Sequence, residues 1–257
     1  MGQIAWITGA STGIGAQTAK ILAREGWTVA VTARSEDKLH ELAAEFEGIK
    51  AYPCDVTNEQ DMAQLVDRIE QECGPIDLAF MNAGMFNPDT YETYTAENFQ
   101  NHFRVNVFGV SNGIAPVLEK FKQRGAGHFV ITASVAGYQG LPRSLSYGAT
   151  KAALINFAES LWLECKGHGI KVQVVCPGFV KTPMTKQNKF PMPMIMELEQ
   201  AAQTLVKGMK SNQFEINFPW AFAWILKVGA ILPRRIKLNF IHFLTQKAMK
   251  SVTDKKG

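Results

Sequence analysis

Short apolar, β-branched runs alternate along the chain with longer stretches whose apolar positions recur every three to four residues. Ile4 to Thr8 is the first short run, and in Ile14 to Glu25 behind it Ile14, Thr18, Ile21 and Leu22 share one face of a helix. Trp27 to Thr32, Ile49 to Cys54, Ile76 to Met81, His128 to Ser134, Ile170 to Cys176 and Phe214 to Phe218 read as further strands. Helices are expected over Glu36 to Phe46, Glu59 to Glu72, within Ala96 to Phe121, within Tyr147 to Gly167, and over Glu197 to Met209. Thr57 or Asn58 is placed to cap the third of these helices, and Pro116 should kink or end the one it falls in. Near-continuous apolar strands separated by helices are buried on both faces, which means a parallel sheet covered on each side. Right-handed crossovers then give an α/β fold: a Rossmann-like, doubly wound parallel sheet of about seven strands, with ligands at the carboxyl ends of the strands.

One segment breaks the alternation. Thr182 to Met196 holds three prolines and four methionines without a period, and reads as a lid or irregular loop. The 257 residues are expected to form one domain: a core over 1–185, a substrate-loop region over 182–212 and an apolar, basic extension over 219–257. With 46% apolar and 19% charged residues the chain has enough to bury, which argues against disorder. A net charge of +4 is slight, and most of the excess sits at Lys227, Arg234, Arg235, Lys237, Lys247, Lys250, Lys255 and Lys256, so no nucleic-acid partner is expected. Cys54, Cys73, Cys165 and Cys176 lie far apart without a metal-ligand or redox spacing, so reduced thiols, no metal and a cytoplasmic setting are expected. Residues 1–6 run straight into the first strand, leaving no room for a signal peptide, and no stretch of about 18 uncharged apolar residues suggests a spanning helix.

Thr8 to Gly15 (TGASTGIG) joins the first strand to the first helix. A phosphate needs close backbone approach, amide donors and the positive end of a helix dipole. Gly9, Gly13 and Gly15 supply the first, and the helix starting at Ile14 supplies the others, so the turn suits the pyrophosphate of a dinucleotide. An acidic residue after the second strand would bind a ribose 2′-hydroxyl. Arg34 stands there instead and could fork onto a 2′-phosphate, with a further donor from Ser11, which favours NADPH over NAD(H).

Ser134 closes the fifth strand, and Tyr147 and Lys151 stand one turn apart on one helix face. A tyrosine of ordinary pKa about 10 is a poor acid, and a lysine ammonium beside it, together with the positive charge of an oxidised nicotinamide, would favour its ionised form. Ser134 could donate to a substrate oxygen as charge develops on it. Each residue also has a plain structural use: a serine after a strand caps turns, and four-residue spacing on a helix is common by chance.

These residues, in this order, resemble the short-chain dehydrogenase/reductase family over about residues 3–185. The likeness rests on the glycine motif of Thr8 to Gly15, Asp55 with Val56, the NAG motif Asn82-Ala83-Gly84, Asn106, the Ser134-Tyr147-Lys151 set, Pro177-Gly178 and Thr182. It implies an oxidoreductase transferring hydride between NADP(H) and a carbonyl or secondary alcohol, with Tyr147 as acid/base. It also implies Asp55 on the adenine amino group, Asn106 holding a relay water through its carbonyl, Thr182 on the carboxamide, and Thr12, Ile14 and Val180 lining the cofactor. Thr12 departs from the basic residue that NADPH users often carry before the second glycine, so the NADPH expectation rests on Arg34. An NAD(H)-preferring relative and a non-catalytic dinucleotide sensor are the alternatives.

The apolar lid suggests a hydrophobic, lipid-, steroid- or acyl-like substrate, with Met184, Tyr138, Leu141 and Leu145 forming walls beside Ser134 and Tyr147. A homodimer or homotetramer is the expected assembly. The extension from Pro219 reads as dimer contact or a self-packed helix, with peripheral membrane contact as the alternative.

Overall fold

The computed structural model describes residues 2–186, 188 and 190–253, the last ten of these by backbone alone. Positions 187 and 189 of the expected loop, and 254–257 of the expected extension with Lys255 and Lys256, lie outside the described residues. The strands are β1 (Ile4–Thr8), β2 (Thr28–Thr32), β3 (Ile49–Ala51), β4 (Leu78–Met81), β5 (Gly127–Thr132), β6 (Ile170–Pro177) and β7 (Glu215–Phe218). They form one parallel sheet in the order β3-β2-β1-β4-β5-β6-β7. The order reverses between β1 and β4, and loops leaving neighbouring strands in opposite directions open a crevice there.

Helices α1 (Gly13–Arg24), α2 (Glu36–Glu45) and α8 (Leu198–Met209) bury Ala19, Leu22, Leu39 and Leu205 on one face, with Val31 and Phe80 of the sheet. On the other face α3 (Glu59–Cys73), α5 (Gly109–Arg124) and α6 (Leu145–Cys165) close over Trp6, Ile131 and Val172. Neighbouring strand residues point to opposite faces, so Trp6 and Ile7 enter different cores, and both are fully buried. Of the two candidate caps for α3, Asn58 serves: its side chain accepts from the Asp61 amide at 3.2 Å.

Pro116 does not end its helix, since α5 continues to Arg124 and stops at the left-handed Gly125. The missing amide costs one rung, while Val110, Ile114, Val117 and Phe121 hold α5 on the sheet. The break falls earlier. A short α4 (Ala96–Phe103) passes into a π-helical turn, Arg104–Phe108, which inserts Asn106 before α5 begins.

The irregular loop is pinned at both ends by a bridge between Val180 and Met196, and holds a single helical turn, α7 (Pro183–Lys186). Beyond β7 come α9 (Trp220–Ile231) and α10 (Arg234–Thr253). Among the described residues no helix is long and apolar enough to cross a membrane.

Candidate active site

The glycine turn lies hard against the end of β4. A Cβ at Gly9, whose φ is +66°, would sit 2.6 Å from the Cα of Ala83, and one at Gly15 would sit 2.6 Å from Asn82 Nδ2. Thr12, the N-cap of α1, has extended backbone and caps nothing with its side chain, so the first amides of α1 stay available to an anion. Asn82 ties three strand ends together: its Nδ2 donates to the carbonyls of Thr8 and Gly9 at 3.2 Å, and its Oδ1 accepts from Thr132 Oγ1 at 3.3 Å. Thr8 Oγ1 accepts in turn from the amides of Asn82 and Ala83.

Asn106 is fully buried behind Gly84. Its Oδ1 accepts from the Met85 amide at 2.7 Å, and its Nδ2 donates to the Met85 carbonyl and to Thr150 Oγ1, both at 3.1 Å. The side chain thus braces the loop after β4 against α6.

Ser134 follows β5 in extended backbone and accepts from the Ala136 amide, capping a 3₁₀ turn, while its hydroxyl donates to the Pro177 carbonyl at 3.3 Å. It also shares a hydrogen bond with Tyr147. Lys151 is 2% exposed, donates to the Thr132 carbonyl at 2.8 Å and lies 5.5 Å from the Tyr147 ring centre. Phe86 packs edge-on against the same ring at 4.9 Å.

Lys151 does not draw the phenol down as expected. Burial pushes Tyr147 up to about 12, against the hydrogen bond with Ser134, and pushes Lys151 down to about 8. The ammonium is turned to a backbone carbonyl, so desolvation outweighs its attraction for a phenolate. At neutral pH the phenol therefore keeps its proton and can donate it.

All three side chains line one cleft of about 290 Å³ with Gly9, Ser11, Thr12, Gly13 and Ile14 of the turn. Arg34, exposed just after β2, borders it, as do Asp55 and Val56 after β3. Asp55 Oδ1 is engaged by the amide and hydroxyl of Thr57, each at 2.9 Å. Ala83 and Gly84 line the cleft with Asn82, and Pro177, Gly178, Val180, Thr182 and Met184 close it from β6 and α7. Gly15 and Asn106 stand behind the lining, as packing and brace.

The family profile of short chain dehydrogenases matches residues 3–191. The chain belongs to the short-chain dehydrogenase family. It is 34% identical over 233 residues to an uncharacterized oxidoreductase of Myxococcus xanthus, covering 89% of this chain and 92% of that one. It is 33% identical over 190 residues to the 3-oxoacyl-[acyl-carrier-protein] reductase of Thermotoga maritima, covering 72% and 77%. A short-chain dehydrogenase from Sphingobium yanoikuyae in complex with NADPH superposes with a TM-score of 0.79 at 29% identity, covering 89% of this chain and 93% of that one. As a short-chain dehydrogenase this chain is an oxidoreductase.

The wall expected of Tyr138, Leu141 and Leu145 is not part of this dehydrogenase's cleft. Tyr138 donates to Glu215 and sits under Lys227, Leu141 is half-buried off the lining, and Leu145 is 48% exposed where α6 begins. A buried hydroxyl seeks the nearest carboxylate, and the carboxylate that turns Tyr138 away from the cleft belongs to β7.

Sequence reasoning missed Thr132, whose carbonyl holds Lys151, although its place one strand residue before the Ala133-Ser134 corner could have drawn notice. It also missed Asp89. That carboxylate, 1% exposed, accepts from the Ser146 amide at 3.2 and 3.1 Å and from its hydroxyl, one residue ahead of Tyr147. No local motif announces a cap that arrives from 57 residues away.

Proposed function

We propose that this chain is an NADP(H)-dependent oxidoreductase interconverting a carbonyl and a secondary alcohol on a hydrophobic, lipid-, steroid- or acyl-like substrate. One observation carries this reading: Ser134, Tyr147 and Lys151 meet in the same cleft as the uncapped amides of α1 and the Arg34 guanidinium.

The cofactor fits that lining. Gly9 to Gly15 would hold the pyrophosphate, Asp55 and Val56 the adenine, Arg34 and Ser11 the 2′-phosphate, and Thr182 the carboxamide. NADPH in the Sphingobium structure supports the same choice. When bound, the nicotinamide supplies the hydride that reduces the carbonyl carbon.

The chain's own residues handle the proton. Tyr147 Oη donates it to the substrate oxygen in reduction and takes it back in oxidation. Ser134 donates a hydrogen bond to the same oxygen as negative charge builds on it. Lys151 would hold the nicotinamide ribose, and a water held on the Asn106 carbonyl would pass a proton from solvent through Lys151 back to Tyr147.

The apolar substrate is supported by Met184 at the cleft and by Phe190, which packs on Phe179 beside it with ring centres 6.1 Å apart. The name of the Thermotoga relative, a 3-oxoacyl-[acyl-carrier-protein] reductase, agrees with this class. Oligomerisation as a dimer or tetramer belongs to the same reading on family likeness alone.

The test is NADPH oxidation against a panel of ketones by wild type and Tyr147→Phe. Loss of the phenol's proton should lower kcat by about 10²–10⁴-fold. Equal rates in the two proteins would refute the assignment.

A further inference from the structure

The extension after β7 carries a face that nothing among the described residues covers. α9 spends its inner side on the body. Ala223 is fully buried, Phe222 packs on Phe179 at 5.8 Å between ring centres, and Lys227 pairs with Glu215 at 2.8 Å. This rules out a helix wholly packed on its own chain, because the opposite side shows Trp220, Trp224, Ile225, Val228 and Ile231, from 58% to 84% exposed. Their spacing of four, one, three and three places them along one stripe. Leu232, Ile236, Phe240 and Phe243 prolong the exposed apolar surface into α10. The total is on the order of several hundred Å², at or above the largest patch of a typical monomer.

Charge decides what covers it. From Ile216 to Thr253 the chain has six Lys and Arg and no Asp or Glu, and of the six Lys227 is paired with Glu215. A two-fold contact sets one patch against its own copy, which here would gather cations from both chains without a carboxylate between them. A bilayer with anionic headgroups offers both complements at once: acyl chains for the tryptophans and aliphatics, and negative charge for Arg234, Arg235 and Lys237.

Position adds a purpose. Phe222 touches Phe179, which lies between Gly178 and Val180 of the cleft lining, and Phe179 touches Phe190 of the lid. Gly229 approaches Gln139, in the loop between Ser134 and Tyr147. α9 therefore packs against both segments that flank the substrate end of the cleft.

We propose that α9 and the start of α10 dock this chain on an anionic lipid surface, with the exposed tryptophan and aliphatic stripe in the acyl boundary, so that a hydrophobic substrate passes from the bilayer to the lid. The docking stands on the exposed face and its charge. The substrate route rests on the function proposed above.

The experiment uses the full chain with vesicles of phosphatidylcholine alone and of phosphatidylcholine mixed with phosphatidylglycerol, read by co-sedimentation and tryptophan fluorescence. Binding should appear on the mixed vesicles with a blue-shifted emission and weaken with salt. The Arg234→Glu/Arg235→Glu double variant should lose about twenty-five-fold or more in affinity, from two cations each contributing about fivefold. Trp220→Ser/Trp224→Ser should lose binding while keeping wild-type turnover of a water-soluble ketone. Full chain left in the supernatant, equal binding to neutral and mixed vesicles, or a dimer that Trp220→Ser/Trp224→Ser turns to monomer would each overturn the proposal. Vesicle binding needs no turnover, so binding in a protein that reduces no ketone would uphold the docking and remove the proposed function.

Discussion

Removing the Asp89 carboxylate should loosen the helix that carries Tyr147, the proposed acid. α6 begins after Ser144, whose side chain makes no capping bond, and Asp89 caps it from the loop after β4 by accepting from the amide and hydroxyl of Ser146. Asn98 Nδ2 also donates to it at 3.4 Å. Asp89→Ala strips these donors of their acceptor in a site that is 1% exposed. Losing a buried, charge-assisted acceptor costs about 1.5–3 kcal/mol, and losing the negative charge at a helix N-terminus up to about 1 kcal/mol more. A total near 3 kcal/mol lowers Tm by roughly 6–12 °C in a chain of this size. The first turn of α6 holds Tyr147 itself, and a displacement of about 1 Å at a reacting group can cost 10²-fold. The expected result, read well below both melting points, is kcat down by about 10–100-fold with KM for the cofactor nearly unchanged, because the glycine turn is untouched. Asp89→Asn keeps one acceptor oxygen and should recover most of both losses. A Tm within about 2 °C of wild type together with an unchanged kcat in Asp89→Ala would refute the idea that this carboxylate positions the acid.

Two further outcomes follow from single side chains. Arg34→Asp should weaken NADPH by about 10–100-fold, the worth of one charge-assisted pair, and favour NADH; a wild type that already prefers NADH in a fluorescence titration would dismiss Arg34 as the selector. Burial pushes His128 from 6.5 down to about 4, aided by the charge of Lys171 and opposed by its hydrogen bond with Gln173. The folded protein thus refuses a proton that the unfolded chain accepts, so stability is complete above pH 6.5 and falls by roughly 3 kcal/mol as pH drops toward 4. Urea midpoints should lose part of that slope in His128→Gln, and an identical slope in both proteins would contradict it.

The sheet was legible because its residues carry their instruction locally. Val29 to Val31 and Val174 to Cys176 are buried on both faces, and that condition alone requires an unbroken apolar run between helices. The turn at Gly9 was legible for a related reason: a Cβ there would lie 2.6 Å from the Cα of Ala83, so the position admits only glycine. The distance of four from Tyr147 to Lys151 is likewise a property of one helix. What escaped depends on partners distant in sequence. Tyr138 looks like a pocket aromatic until the carboxylate of Glu215 turns it away, and Pro116 looks like a helix end until α5 is seen held by its packed face.

The share of Lys151 in the acidity of Tyr147 escaped for a deeper reason, since that acidity is a balance of fields rather than the gift of one neighbour. A lysine four residues on could lower the phenol only if its charge were directed there, and the Thr132 carbonyl, delivered by a strand 19 residues before that lysine, claims it first. With the ammonium so held, burial governs both groups, raising Tyr147 and lowering Lys151. The protein's own groups therefore set the site as a proton donor, and ionising the phenol requires positive charge brought into the cleft from outside the chain. An oxidised nicotinamide carries such a charge and a reduced one does not. On the function proposed above, the tyrosine would enter reduction as the neutral acid, and the charge of an oxidised nicotinamide would favour its ionised form when alcohol is the substrate.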